Sequence, residues 1–205
     1  MIAYYFKQPL DMNNIKLYTY GTLLLAAGLA FYLVNSIKYS IDEEARINKA
    51  ESKVIERLKL IREAQIAFQS VNGSYASEWD TLYNFIENGE IFLIQRREET
   101  VLLDYGAEET TLYLDTLGSI SVIDSLFSSY PNFVASELIN VPGYSDTQFE
   151  IWASKIEKGG VQVDVVEVRN PKPFDPDRSE DNEANINKPL RFGSRTSITT
   201  AGNWE

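Results

Sequence analysis

The sequence predicts an α+β protein, a long N-terminal helix (membrane anchor plus amphipathic stem) packed on a mostly antiparallel β-sheet. Three observations carry this expectation. Residues 17–37 (LYTYGTLLLAAGLAFYLVNSI) hold no charge between Lys16 and Lys38. Residues 41–71 contain no Pro or Gly and repeat apolar side chains every three or four positions, the period of an amphipathic helix. Beyond residue 90 the pattern changes to short β-branched and aromatic runs separated by Gly, Asp and Thr, as strands are. Five segments follow: a polar N-terminal segment at 1–16, a transmembrane helix at 17–37, a helical stem at 38–72, an α+β body at 73–169, and an acidic loop with a C-terminal strand and tail at 170–205.

The uncharged run comprises 21 residues. At about 1.5 Å per residue it reaches roughly 30 Å, the thickness of a bilayer's hydrocarbon core. Tyr18 and Tyr20 stand at one end, Tyr32 and Tyr39 at the other, where an interfacial aromatic belt belongs. Gly28-Leu29-Ala30 has the small residues of a signal-peptide cleavage site, but Phe31-Tyr32-Leu33-Val34 continues the apolar run past it, so a retained anchor is expected. Gly21, Ala26, Ala27, Gly28 and Ala30 put small residues on this helix. Ala26 and Ala30 are four apart and Gly21 and Gly28 seven apart, so each pair shares a face that allows close approach of a neighbouring helix. Positive charge does not fix the orientation: Lys7 and Lys16 precede the span, while Lys38, Arg46, Lys49 and Lys53 follow it. Long domains cross largely regardless of their charge, and the body is expected on the extracytoplasmic, periplasmic side.

In the stem the stripe is Ile47, Ala50, Val54, Leu58, Ile61, Ala64, Phe68 and Val71. Ser40 before Ile41-Asp42-Glu43-Glu44 has the form of an N-cap with acids in the first turn, and Asn72-Gly73 that of a left-handed stop. Without a break near 36–40, anchor and stem form one helix from about Ile15 to Val71. Arg57 falls on a heptad seam, which favours packing on the chain's own sheet over a symmetric coiled coil.

Residues 74–89 read as a turn and a short helix with Trp79, Leu82, Phe85 and Ile86 on one side. Strand-like runs follow at Ile91–Ile94, Val101–Leu103, Thr111–Leu114 and Ser119–Ile123, with a short helix near Ser125. Thr147–Ile156 and Val161–Val168 flank Lys158-Gly159-Gly160, and the alternation of Val161, Val163 and Val165 makes this the clearest hairpin. Residues 170–188 have no apolar period and three Pro; a last strand is expected within 189–200.

Composition narrows the chemistry. Lys and Arg number 19 against 30 Asp and Glu, a net charge of -11, so the chain repels phosphate backbones and nucleic acid is not an expected partner. With no Cys there is no disulfide, iron–sulfur cluster or thiolate nucleophile; with no His, no usual zinc site and no imidazole triad. Nucleophile elbows and phosphate-binding glycine loops are absent as well. No enzyme and no cofactor is expected. The tightest carboxylate run is Asp175-x-Asp177-x-Ser179-x-Asp181-x-Glu183, whose alternating oxygens begin like a calcium-binding EF-hand loop. Glu180 stands where that loop needs Gly and Ile186 where it needs a bidentate Glu, so a solvated acidic loop is the competing reading. Arg96-Arg97 and Arg191 with Arg195 are expected to pair with neighbouring acids.

The apolar helix runs into an amphipathic one that closes with Ala64-Gln65-Ile66-Ala67-Phe68-Gln69-Ser70-Val71-Asn72-Gly73-Ser74-Tyr75. Over residues 17–85 this resembles type IV pilins and type II secretion pseudopilins, whose long N-terminal helix ends near an Asn-Gly-x-Tyr turn and packs on a sheet. The family's processing signal, a Gly before Phe or Met with a Glu five residues on, has no counterpart here: Thr22 follows Gly21 and no acid lies in the apolar run. The expected function is a single-pass, membrane-anchored structural or adaptor subunit of a larger membrane, pilus-like or secretion-type assembly. Its partners would be membrane lipid and other protein subunits, in a homo- or hetero-oligomer, met through exposed edges or the Trp204 tail. The alternatives are an extracytoplasmic binding module for calcium or a basic ligand, a virion membrane component, and a hydrolase working through carboxylates.

Overall fold

The computed structural model describes residues 12–102 and 108–205; most of the 1–16 segment, and Leu103 of an expected strand, lie outside them. The chain divides into two units, Met1–Asn48 and Lys49–Glu205.

The N-terminal element is one α-helix, α1 (Met12–Asn72). Its residues through Asn48 belong to the first unit. There the described side chains lie almost entirely exposed, and Glu43 accepts from Arg46 at 2.6 and 2.9 Å one turn on. Ser40 does not cap a helix start. It sits within α1 and donates its hydroxyl to the Ser36 carbonyl four residues back at 3.2 Å, the bond a mid-helix serine makes when the backbone around it is already helical.

In the second unit α1 ends as expected. Gly73 takes φ 75° and its N–H bonds the Gln69 carbonyl at 2.8 Å, closing the last turn in a left-handed cap. The stripe Val54, Leu58, Ile61, Ala64 and Phe68 is buried in one core with α2 (Trp79–Asn88), whose Leu82, Phe85 and Ile86 face it. Phe68 and Phe85 meet edge to face, 5.2 Å between ring centres. Gln65, fully buried on the same helix, donates to the Ala76 carbonyl at 2.9 Å and accepts the Ala76 N–H at 3.0 Å. That two-way bond ties the 73–78 turn to α1 and leaves neither half of the buried amide unpaired.

Two antiparallel sheets form in place of a single one. The four short runs expected between 91 and 123 merge into two long strands, β1 (Glu90–Leu102) and β2 (Glu108–Ser121), because the charged Arg96–Thr100 stretch continues the ladder instead of breaking it. Val122 and Ile123 leave the expected strand and open α3 (Val122–Leu126), where Ser121 accepts the Asp124 N–H as its cap. The expected hairpin is β3 (Glu150–Lys158) and β4 (Val161–Arg169), in register from Lys158↔Val161 to Glu150↔Arg169. Gly159 and Gly160 both adopt positive φ, as a two-residue turn matching the strand twist requires. The final strand is short, β5 (Arg191–Gly193), paired with β4. Val166, Val168, Leu190 and Phe192 carry this sheet into the same core as the α1 stripe, together with Val122, Phe127 and Phe149.

Candidate functional site

Three regions hold the candidate site residues. The first is the apolar part of α1. Among the described residues one helix is long and apolar enough to cross a membrane: Lys16–Asn72 contains an 18-residue window of mean hydropathy 1.6, none of it buried. Leu24, Phe31 and Tyr32 are each at least two-thirds exposed, which in water is a large unfavourable apolar surface. Gly21, Ala26, Ala27, Gly28 and Ala30 are exposed on it, and a Cβ built on Gly21 or Gly28 would meet nothing. All five are therefore open to a neighbour, and within the first unit nothing occupies them.

The second region is the 170–205 segment. Of the four residues Asp175, Asp177, Ser179 and Asp181, two turn a side-chain oxygen to the loop itself. Asp175 accepts the Asp177 N–H at 2.9 Å, and the Ser179 hydroxyl accepts the Asp181 N–H at 3.4 Å, so two of the four satisfy the loop's own backbone. Among the described residues no group of three or more acidic side chains is placed to hold a metal ion. The centre of the loop is Arg178 instead. Its guanidinium grips Glu51 of α1 through two bonds of 2.7 and 3.0 Å, and its remaining N–H groups reach the carbonyls of Ile186 and Lys188. Both side chains of the pair are largely buried, so the fork works where water screens little. Asn182 adds bonds to the Asp177 and Asn187 carbonyls, 2.9 and 2.7 Å.

Beside it the arginines and acids of the sheet form a chain of ion pairs. Arg169 bonds Glu150 at 2.6 Å and Glu180 at 3.1 Å. Arg191 reaches Glu180 at 3.3 Å and Glu167 at 3.7 Å, and Arg195 bonds Glu167 at 2.8 Å while lying over the Trp152 ring. The hydrogen bond from Arg169 to Glu150, with the nearby Glu150 and Glu180 charges, outweighs burial and holds that guanidinium above its ordinary value. The expected pairing of Arg191 and Arg195 with acids is thus present, and so is that of Arg96, which bonds Glu98 at 2.5 Å. A cavity of about 460 Å³ opens beside Arg195, lined by Ser194, Thr196, Ser197 and Thr199, but its cations are already neutralised by Glu167 and Glu180.

The C-terminal tail is not free. Asn203 is buried, donating to the carbonyls of Asn185, Lys188 and Pro189 and accepting the Arg191 N–H at 3.0 Å. Trp204 packs on the core and Glu205 accepts from Arg62 at 2.6 Å. The tail therefore closes the body, and Trp204 is not an exposed contact. Neither the Glu51–Arg178 grip nor the Asn203 anchor was signalled by spacing. The first joins residues 127 apart and the second residues 12 to 18 apart, outside any helical or strand period that would mark them.

The third region is the β1–β2 ribbon. From Phe92 to Leu102 every β1 residue is exposed, as are Leu112, Tyr113, Leu114 and Leu117 of β2. Ile91 at its base packs against the core. Arg97 lies over the Tyr113 ring opposite it, 5.2 Å from the centre. Both faces of this two-stranded sheet thus present exposed apolar side chains.

No family model matches the chain, and no curated protein or solved structure does.

Proposed function

We propose that the chain is a non-enzymatic, single-pass membrane-anchored subunit, structural or adaptor in role, of a larger membrane assembly of pilus-like or secretion type, with the unit Lys49–Glu205 on the extracytoplasmic, periplasmic side. The observation that carries the reading is the 17–37 stretch of α1, uncharged and unburied, whose apolar side chains need a lipid or protein environment. The body supports it in a second way. Its arginines and acids are engaged with one another in ion pairs that fix loop to helix and strand to strand, an arrangement that suits a rigid scaffold. The likeness to pilins and pseudopilins agrees with this role, and the small residues of the span, Gly21 with Gly28 on one face and Ala26 with Ala30 on another, with Ala27 between them, give it surfaces on which another helix can pack closely.

Extraction of the tagged full chain in mild detergent, followed by native mass measurement, tests the reading. A stoichiometric complex with copies of itself or with other membrane proteins is expected, and a bare monomer under every mild condition overturns it. Because the chain has no Cys, single cysteines placed at Ser179 and at Asn14 report sidedness without background labelling. Protection of the first from a membrane-impermeant reagent in intact spheroplasts would overturn the periplasmic placement.

A further inference from the structure

We propose that the outer edge of β1 is the surface on which a second copy of this chain docks, antiparallel and centred on Arg97, so that two ribbons become one four-stranded sheet. This rests on the subunit reading and names one of the partners. Among the described residues β1 pairs only with β2, which leaves the backbone N–H and C=O groups of its other edge unpaired along 13 residues without a Pro. A strand edge of that length is a template for another strand, and a two-stranded sheet alone in water is marginal.

The choice of edge and partner comes from the residues. β2 is interrupted: Leu93 pairs with Gly118 and Ile94 with Thr116, so Leu117 is the extra residue of a bulge on β2, and bulges turn an edge away from pairing. β1 has no such break. It also carries its own complement, Arg96-Arg97-Glu98-Glu99, set between Gln95 and Thr100 with apolar residues beyond them, Ile91 to Ile94 on one side and Val101-Leu102 on the other. In an antiparallel two-fold pair, opposed residues share a face. Placing the axis at Arg97 sets Arg96 against Glu98 of the second copy, twice, and sets Phe92 against Leu102 and Leu93 against Val101. Glu99 of each copy then lies diagonal to Arg97 of the other, offsetting the two guanidiniums at the axis. Moving the axis one residue, to Glu98, would also make two ion pairs, Arg97 with Glu99, but it would oppose two carboxylates at the axis of a chain of net charge -11 and set Val101 against polar Gln95.

The register makes a sharp test in the otherwise cysteine-free full chain in detergent. Directly opposed residues in an antiparallel pair have Cα atoms about 4.5–5.5 Å apart, within disulfide reach. Arg97→Cys should therefore give a covalent dimer under mild oxidation, several-fold more than Gln95→Cys or Glu99→Cys, which the proposed register keeps apart. Arg96→Glu should abolish the non-covalent dimer and Arg96→Glu with Glu98→Arg should restore it, with circular dichroism confirming the fold in each. Equal cross-linking at 95, 97 and 99, or none, overturns the pairing. A native complex that persists without Arg97→Cys cross-linking overturns the pairing alone and leaves the subunit reading standing; a bare wild-type monomer removes both.

Discussion

The two antiparallel hairpins of the second unit are built on the same ladder and live in opposite surroundings. β3–β4 has strands of nine residues closed by Gly159-Gly160, and Val165, Val166 and Val168 of β4 are buried. The β1–β2 ribbon is longer, 13 and 14 residues, yet past Ile91 nothing on β1 is covered. Backbone pairing is therefore not what separates them. The three-stranded sheet is held by side chains that enter a core; the ribbon has only its cross-strand contacts, such as Arg97 on Tyr113, and lacks the third strand or covering layer that makes a sheet stable by itself. Its outward apolar residues draw no stabilisation from a core within the described residues.

The same truncation in each sheet should show the largest divergence. Phe192 is 0% exposed and Phe92 is 54% exposed. Phe192→Ala should cost about 3–5 kcal/mol through lost burial and the cavity left behind. Phe92→Ala in the monomer should stay within about 0.5 kcal/mol. Urea denaturation of both variants checks this, and comparable losses would mean that the ribbon is packed as tightly as the core. The glycines follow. Gly193 has φ 78° and a Cβ there would come 1.9 Å from the Val166 carbonyl oxygen. Gly193→Ala should therefore cost about 3 kcal/mol, left-handed strain and backbone collision together. A Cβ at Gly118 meets nothing, so Gly118→Ala in the ribbon should be near neutral in the same assay.

How much of this could be read from the chain follows the same division. The stem stripe was legible because Val54, Leu58, Ile61, Ala64 and Phe68 repeat at helical spacing and all face one core. The β3–β4 hairpin was legible because valine alternation and Gly-Gly both operate locally. The ribbon was legible as strands but not as one ribbon. Arg96 to Thr100 looks like a loop, and only cross-strand partners, Arg97 on Tyr113 among them, make it a continuous ladder. Ser40 misled for a related reason: a serine before acids is a good cap only where the helix begins, and residues upstream decide that. In the candidate site the acidic spacing of 175–181 was visible while the organising contact, Arg178 on Glu51, joins positions 127 apart that no period connects.

Each sheet also has an aromatic ring covered by an arginine, which allows a finer comparison. Arg97 over Tyr113 is exposed, whereas Arg195 over Trp152 also bonds the nearly buried carboxylate of Glu167 at 2.8 Å. Arg195→Met should cost about 1–2 kcal/mol, because Glu167 keeps only the longer 3.7 Å contact to Arg191. Arg97→Met should cost about 0.5 kcal/mol in the monomer. Raising salt should narrow the gap only slightly, since Glu167 is shielded from solvent.

The smallest effect at neutral pH sits on the core side, at Tyr83 of α2. Its ring stacks on Trp79, 6.0 Å between centres, and burial pushes its phenol from an ordinary 10.0 up to about 12, aided by the Asp80 charge and opposed by a backbone hydrogen bond. A folded value above the unfolded one means that the fold binds this proton more tightly. The contribution is thus complete below pH 10 and is lost as pH rises from 10 towards 12. Tyr83→Phe gives up a long 3.5 Å contact from the hydroxyl to the Ser136 carbonyl and the backbone hydrogen bond with Ile139, and should be close to neutral at pH 7. Above pH 10 the variant should lose stability less steeply than the wild type, read as a shallower fall in urea midpoint with pH. Parallel falls would place the Tyr83 phenol in solvent, and would weaken the claim that α2 is sealed against the core as the ribbon is not.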